Sequence, residues 1–291
     1  MTLIVTSEYV LNRVTAPRLP NATPEYSKDY IDQLNNILRL YFNRLDAILA
    51  QLDTNATTAV LQVPYGSFYQ DGTTTLTADI TNVSTTPIQV VSTAQFAPSG
   101  EILIGRELIR YTAKTSTTFT GITRGVYGTT NISHTTGEFV TESLGVPSST
   151  VGQAIIFTGT LASYGIELSA VNTSRVVCTT AGVYNFQFSV QLLNFTTTED
   201  NVTIWFKQNG TDIDFSAGVV QVNSKHGSDP GASIVSWNLI VDMNVADYIE
   251  IYFSSETGET VCATYPAGTT PTTPISPSVI LTATFVSALP A

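Results

Sequence analysis

Charged side chains are scarce in this sequence. Lys, Arg, Asp and Glu make up 12% of its 291 residues, about half the share of an average globular protein. Thr, Ser, Asn and Gln supply the polar surface instead, whereas charged side chains usually keep soluble proteins apart. Such a surface is typical of proteins permanently packed against copies of themselves or against other subunits, and also of stable secreted β proteins. Composition leaves both classes open.

Cations are scarcest toward the C-terminus. Residues 148–291 contain three cationic side chains (Arg175, Lys207 and Lys225) and eleven carboxylates, so this stretch carries −8 of the formal net charge of −11. Three cations cannot neutralise many phosphates, which argues against binding nucleic acid. The same shortage argues against binding an anionic membrane surface.

Cysteine and histidine are nearly absent. Cys178 and Cys262 lie far apart without metal-ligand spacing, so we expect buried free thiols, with a single disulfide as the alternative. His134 and His226 are the only histidines, and we interpret both as polar surface residues of loops. A catalytic triad or a zinc site would need more partners than these segments offer.

Long apolar runs are also lacking. No window approaches the roughly 20 apolar residues of a membrane span. The N-terminus MTLIVTSEYVLNR has no basic region before its short apolar stretch, so it does not resemble a signal peptide. We therefore expect no membrane insertion, and a product that stays in the cytoplasm until it is assembled.

Acidic residues offer few candidates for chemistry. Glu199 and Asp200 are adjacent in TTTEDN, and Asp212 and Asp214 are two residues apart. Such pairs suit a Ca²⁺ site or a glycosidase couple, but the turn-like contexts favour solvated charge. The sequence thus predicts no catalytic, cofactor-binding or metal-binding residues, and a protein that is not an enzyme.

The chain divides into four segments, and the first two differ from the rest. Residues 1–22 form an extended arm containing Pro17 and Pro20, and residues 23–54 form one long helix. Thr23 is the expected N-cap, and Pro24 suits the first helical position. Residues 55–147 and 148–291 both have β patterning, so the fold is predicted to be mainly β.

The helix is amphipathic with a heptad repeat. Apolar side chains recur in alternating steps of three and four, the pattern of a coiled-coil seam. These interface positions are Ile31, Leu34, Leu38, Tyr41, Leu45, Ile48 and Leu52, and a second stripe adds Tyr30, Ile37, Leu40, Phe42 and Leu49. The face is wider than a two-stranded seam needs, so we predict an anchor or an oligomerisation helix of three or more strands. The alternative is a helix that lies across a sheet of its own chain.

Residues 55–147 begin with a Thr-rich linker and continue as short strands between glycine turns, which favours a small β-barrel or sandwich. The stretch PSGEILIGRELIRYTAKTSTTFTGITRGVYGTTNISHTTGEFV resembles a small β module of bacteriophage tail, baseplate and other virion proteins. The matching positions are Gly105, Glu107, Ile109, Tyr111, Thr120, Gly121, Arg124, Gly125, Gly128, Thr129, His134 and Gly137. The resemblance implies a structural insert without a reaction of its own.

Residues 148–291 contain about ten segments of alternating pattern, which fits an antiparallel jelly-roll β-sandwich. In GVYNFQFSVQL, we expect Tyr184, Phe186, Phe188, Val190 and Leu192 to share the buried face. Trp205 and Trp237 lie in strand patterns and are interpreted as core residues.

Several C-terminal segments resemble one fold family. AGVYNFQFSVQL, IWFKQNGTDI and SWNLIVDMNVADYIEIYFSS are similar to the tumour-necrosis-factor-like jelly roll, which is also the fold of the complement globular head. One departure is Val245-Ala246-Asp247, where many relatives have Ala-Gly-Asp. The resemblance implies a homotrimer with aromatic-rich strands around its three-fold axis.

The N-terminal stretch RLPNATPEYSKDYIDQLNNILRLYFNRLD also resembles the opening of phage virion proteins, especially those of marine phages. Three stretches thus lead to one expectation: a homotrimeric tail-fibre or tail-associated protein, located in the virion and assembled in the host cytoplasm. Residues 1–54 would attach it to a tail adaptor, a nozzle or the capsid, and the jelly roll would be displayed outward. The alternatives are a capsid decoration, cement or head-fibre protein, and a module that binds host-surface glycans.

Overall fold

The computed structural model describes residues 28–58, 63–145 and 149–290 and divides the chain into two compact units. Residues 1–62 form the first unit and residues 63–291 the second. The predicted extended arm, residues 1–22, lies outside the described residues, as do Thr23 and Pro24. The prediction of a mainly β chain with one helix is confirmed.

The helix, α1, spans Lys28–Thr58. Asp29 lies in its first turn, where a carboxylate interacts favourably with the positive end of the helix dipole. The helix continues beyond its predicted end at residue 54 because TNATT contains neither proline nor glycine, so an existing helix can propagate through it. Within the described parts of the chain, no helix has the length and apolar character needed to cross a membrane.

The second unit consists of β-strands that range from 2 to 13 residues in length. Its first eight are β1 Tyr65–Gln70, β2 Thr73–Thr75, β3 Ile88–Gln89, β4 Gly100–Ile104, β5 Glu107–Tyr111, β6 Ala113–Lys114, β7 Thr118–Thr120 and β8 Phe139–Gly145. The next seven are β9 Gln153–Ala154, β10 Gly159–Tyr164, β11 Ile166–Leu168, β12 Val176–Cys178, β13 Gly182–Asn194, β14 Asp200–Gln208 and β15 Thr211–Asp212. The last seven are β16 Gly218–Val222, β17 Gly231–Met243, β18 Tyr248–Ser255, β19 Thr260–Ala263, β20 Gly268–Thr269, β21 Thr272–Thr273 and β22 Val279–Ser287.

Two large antiparallel sheets organise these strands. The ten-stranded sheet follows the order β10-β1-β22-β13-β19-β8-β4-β5, with β17 also paired to β13 and β2 to β8. The seven-stranded sheet follows the order β11-β12-β18-β14-β15, with β16 on β14 and β9 on β18. Two small sheets, β3-β7-β6 and β20-β21, complete the unit.

The two large sheets share one apolar core. Phe186 and Phe188 of β13 and Leu281 of β22 pack in the same cluster as Phe206 of β14 and Phe253 of β18. Aromatic side chains of this size dominate the free energy of core formation because each buries a large apolar area.

Strand β13 alternates as predicted. Its even-numbered side chains from Tyr184 to Leu192 are buried, whereas Val183, Asn185, Gln187, Ser189 and Gln191 are exposed or half-buried. The period of two thus assigns each side chain to the inner or the outer face of the sheet.

A second core lies where residues 72–140 fold together. It contains Ile102 of β4, Ile109 and Tyr111 of β5, and Phe119 of β7. A third, smaller cluster brings Leu103 and Leu108 together with Leu193, Phe195 and Val261. The ten-stranded sheet is therefore continuous from one part of the unit to the other.

Strands β1 and β2 were not predicted. Strand β1 follows the Thr-rich stretch and pairs with β10 and β22, and β8 pairs with β19. Strands on both sides of the sequence-based boundary at residues 147/148 thus belong to one sheet. Local pattern could not locate β1 because its pairing with β22 is made with residues more than 200 positions away, and such long-range packing decides strand formation.

Candidate functional site

The predicted interface of α1 is only partly covered within the described residues. Ile31, Leu34, Leu38, Tyr41 and Leu45 are all half-buried, and none of the side chains of residues 28–47 is fully buried. In the second stripe, Leu40 is 56% exposed and Phe42 is 55% exposed. The side chains of Ile48 and Leu52 lie outside the described residues. The apolar face is thus present at its described positions, and each side chain there keeps part of its surface exposed.

The second candidate surface lies on the outside of the ten-stranded sheet and carries no charged side chain at the positions named below. Register aligns the outward side chains of β1, β22, β13 and β17 in rows such as Tyr65–Thr284–Asn185–Ile240 and Ser67–Thr282–Gln187–Asn238. We call the following set the uncharged face: Tyr65, Ser67, Tyr69, Asn185, Gln187, Ser189, Gln191, Ile234, Ser236, Asn238, Ile240, Ile280, Thr282 and Thr284. Each member is exposed or half-buried, and none can ionise near neutral pH.

The uncharged face is apolar in part. Ile234 is 74% exposed and Ile240 is 59% exposed, and both lie on β17 among amides and hydroxyls. Asn238 donates to Asn185 Oδ1 at 2.9 Å across the strand pair, so part of its polarity is satisfied within the face. Asp242, the first carboxylate along β17, lies one position beyond these rows, opposite Val183. Contact through these rows therefore removes few charged groups from water, as in the core of protein interfaces.

A cluster of charged side chains is buried inside the unit, around Glu107. The Glu107 side chain is 0% exposed, and Arg124 binds it through two parallel hydrogen bonds, Nε–Oε1 at 2.5 Å and Nη2–Oε2 at 2.6 Å. Arg124 also donates to the backbone carbonyls of Thr81 at 2.8 Å and Ile132 at 2.6 Å. One guanidinium thus holds three separate loop and strand segments in place, with the bidentate geometry that makes Arg–carboxylate pairs strong.

His134 extends this ion network. Its Nε2 lies 3.0 Å from Glu107 Oε2, and its Nδ1 lies 2.9 Å from Glu138 Oε2. Both carboxylates accept hydrogen bonds when ionised, so both ring nitrogens must carry a proton and the ring is an imidazolium. Burial lowers the pKa of His134, but its hydrogen bonds to Glu107 and Glu138 outweigh burial and raise the pKa above its usual value.

The pKa of Glu107 is lowered in turn. Burial raises its pKa, but hydrogen bonds from Arg124 and His134 outweigh burial and lower the pKa to about 2. The interpretation of His134 as a surface residue is wrong, since the residue is 1% exposed. The signal was present in the sequence, because Glu107, Arg124 and His134 are all positions of the virion-module pattern. What the pattern did not reveal is that Arg124 and His134 both bind Glu107.

A second buried carboxylate, Glu142 of β8, binds the side chain of Gln70 at the end of β1. Its Oε2 accepts from Gln70 Nε2 at 2.8 Å and its Oε1 from the backbone N–H of Ala97 at 2.8 Å. Gln70 Oε1 in turn accepts from the hydroxyls of Thr264 and Ser278. Burial raises the pKa of Glu142 to about 7 because these bonds do not fully replace its hydration.

The acidic candidates from the sequence do not converge. Asp200 is 1% exposed and accepts hydrogen bonds from Ser255, Thr260 and the backbone of Thr257, so its interpretation as solvated charge is wrong. It stabilises the turn between β18 and β19 instead. Its neighbour Glu199 is exposed, as predicted.

The other candidates lie at the surface. Asp212 and Asp214 are exposed, and β15 ends at Asp212, so the two do not share a strand. His226 is exposed in its loop, as predicted. Among residues 28–58, 63–145 and 149–290, no three His, Cys, Asp or Glu side chains are arranged to hold a metal ion.

The prediction for the two cysteines is confirmed, whereas the prediction for the two tryptophans is confirmed for only one of them. Cys178 and Cys262 are both buried and free, as predicted, and burial raises the pKa of each thiol. Trp237 packs edge-on against Phe188 with centroids 4.6 Å apart, which confirms its place at the core. The same prediction is wrong for Trp205, because that side chain points to the outer face of β14.

Comparison with protein-family models finds no family that matches the chain. Comparison with curated proteins finds no similar sequence.

Proposed function

We propose that this chain is a non-enzymatic structural component of a bacteriophage virion that assembles as a homotrimer. In its favoured form it is a tail-fibre or tail-associated protein, attached through residues 1–54. The observation that supports self-association is the uncharged face, eleven of whose fourteen positions lie in residues 148–291, a segment with a net charge of −8. Copies that approached through other surfaces would bring carboxylates together, whereas this face brings together amides, hydroxyls and isoleucines.

In this proposal, α1 attaches the chain to the particle. Its heptad positions and the exposed Leu40 and Phe42 form an apolar surface larger than single scattered residues would give. Surfaces of this kind mark sites of association. The resemblance of residues 18–46 to the opening of virion proteins gives the partner, which we propose to be an adaptor, nozzle or capsid protein of the particle.

The proposal also assigns a specific fold to each of two parts of the second unit. The segment around the Glu107 network is proposed to be the small virion β module, and the sandwich of the two large sheets a tumour-necrosis-factor-like jelly roll. Supporting the first, three positions of the module pattern are Glu107 and its two partners, Arg124 and His134. Supporting the second, all strand pairs of the two large sheets are antiparallel and their inner faces share one core.

A capsid decoration, cement or head-fibre protein is the second candidate. It needs the same anchor and the same trimer and differs in where the particle carries the chain. Gold-labelled antibody against the chain, applied to intact particles, separates the two. Label at the tail supports the favoured form, label over the head supports the second, and particles free of label overturn both.

The anchor is tested by Leu38→Asp and Leu45→Asp in the full-length chain. A carboxylate at a packed apolar position costs several kcal/mol, so we expect particles to lose this chain while the β unit remains folded. Asp46→Glu, on the exposed side of α1, is the matched control because it keeps the charge. Full incorporation of both Leu variants, measured by the amount of chain in purified particles, would contradict an anchoring helix.

A further inference from the structure

An aromatic pair lies on the outer face of the seven-stranded sheet. Trp205 of β14 and Tyr252 of β18 are directly opposite each other, with ring centroids 5.7 Å apart and planes inclined by 36°. Both side chains are half-buried, and neither belongs to the core between the sheets. The indole therefore keeps part of its apolar ring at the surface of the sheet.

Polar groups surround this pair on one side. Trp205 Nε1 donates to Asp212 Oδ1 at 2.6 Å, and Lys207 Nζ lies 3.2 Å from the same oxygen. Lys207 also lies 4.5 Å from the centre of the Tyr252 ring. The Asp212 side chain is 65% exposed, so its carboxylate can accept further hydrogen bonds from solvent or a ligand. Two rings, a carboxylate and an ammonium thus meet at one partly exposed place.

A role in packing alone does not account for all the contacts that Trp205 makes. The segment before β9 does lie against the indole, since a Cβ on Gly152 would come within 2.5 Å of Trp205 Cη2. Holding that segment requires a ring at position 205. It requires neither the fixed indole orientation given by Asp212 nor the Lys207 ammonium beside Tyr252.

We propose that Trp205, Tyr252, Asp212 and Lys207 form a binding site for a neutral pyranose unit of a cell-surface glycan. A pyranose has an apolar C–H face, which packs on aromatic rings, and hydroxyls at its rim, which need both donors and acceptors. Small-ligand sites combine these features, with aromatic surface for affinity and a few placed polar groups for orientation. The inference goes beyond the structural role and does not depend on self-association, because all four side chains belong to one copy.

The charges at this site disfavour anionic ligands. Lys207 is paired with Asp212, and the neighbouring cation Arg175 lies 3.4 Å from Glu250 and over the Tyr248 ring. Both of these cations therefore already have an acidic partner and are less able to neutralise a phosphate or a sulfate. A neutral polyol can use the same groups without displacing either ion pair.

The two tryptophans of the chain provide the test. Full-length protein labelled with 5-fluorotryptophan gives one ¹⁹F resonance for Trp205 and one for Trp237, assigned with Trp205→Phe. Glucose, galactose, mannose, N-acetylglucosamine and inorganic phosphate are added separately up to about 100 mM, well above the millimolar range of weak binding. We expect at least one sugar to shift the Trp205 resonance saturably while the Trp237 resonance stays fixed.

The variants separate binding from packing. Asp212→Asn should weaken the sugar about tenfold or more, because hydrogen bonds to charged groups are the stronger ones. Asp229→Asn, an exposed carboxylate paired with Arg106, should leave it unchanged. The proposal is overturned if no sugar shifts Trp205, if phosphate alone does so, if both resonances move together, or if Asp212→Asn binds as tightly as the wild type.

Discussion

The Glu107 network buries charged side chains, whereas the uncharged face exposes side chains that carry no charge. In the network, Glu107, Arg124 and His134 are charged and almost completely buried. On the uncharged face, fourteen outward positions over four strands carry no ionisable group that titrates near neutral pH. Proteins normally do the reverse, because burying charge is costly and charged surfaces prevent association.

The difference assigns the two regions different roles. A buried, mutually neutralising network fixes loops that have little apolar surface of their own, and its directional bonds specify one arrangement. A face without charge can lose its water at low cost when it meets another surface. We therefore infer that the network serves the folding of each chain and that the face serves contact between chains.

The largest expected effect comes from breaking the network. Arg124→Ala leaves Glu107 buried with His134 as its remaining cationic partner and frees the carbonyls of Thr81 and Ile132. We expect a loss of about 3–5 kcal/mol in the free energy of unfolding, measured by chemical denaturation. Arg106→Ala is the matched control, because its ion pair with Asp229 is exposed and should contribute about 1 kcal/mol or less. Equal losses in the two variants would contradict a structural role for the network.

A smaller effect is expected at Glu142. Its pKa is raised to about 7 in the folded chain from an ordinary value of 4.5, so the folded chain binds the proton more tightly than the unfolded chain does. This group therefore stabilises the fold below about pH 4.5, and that contribution is lost as the pH rises to about 7.

Glu142→Gln tests this pH dependence. The difference in the free energy of unfolding between the wild type and this variant should fall by a few kcal/mol as the pH rises from about 4.5 to about 7. Glu107 acts in the opposite sense, because its pKa is lowered to about 2 and its contribution is lost as the pH falls from 4.5 toward 2. Since both chains contain Glu107, its contribution cancels in the difference. A flat difference curve would mean that Glu142 is not desolvated.

Sequence patterns predicted regular structure better than they predicted contacts. The alternation in β13 identified its buried face, and the heptad located α1 to within a few residues at its C-terminal end. These features depend on periodicity along the chain. Strand β1 was missed because its partners β10 and β22 are distant in sequence, and no local signal encodes that pairing.

The same limit explains the errors at individual side chains. His134 and Asp200 lie in stretches rich in Thr, Asn and Gly, which normally indicate exposed turns. Whether such a residue is buried depends on partners brought in by the fold, here Glu107 for His134 and Thr260 for Asp200. Trp205 was misplaced for a related reason: alternation shows which residues share a face, but the sheet packing decides which face is inside.

The smallest change to folding should have the clearest effect on assembly. Gln187 lies in the middle of the uncharged face, and Gln187→Glu should alter the free energy of unfolding by about 0.5 kcal/mol or less because its side chain is exposed. In an assembled trimer, however, it would bring like charges together, which costs several kcal/mol across an interface. Val171→Glu adds the same charge on a turn, where residue 171 is 97% exposed, and serves as the control.

Sedimentation equilibrium of these three full-length chains tests the central claim most directly. The account predicts a wild-type mass three times the 31.2 kDa of the chain, and the same mass for Val171→Glu. Gln187→Glu should need at least about tenfold higher concentration to assemble to the same extent. A monomeric wild type, or a Gln187→Glu chain that assembles as readily as the wild type, would contradict the claim that copies of this protein meet through the uncharged face.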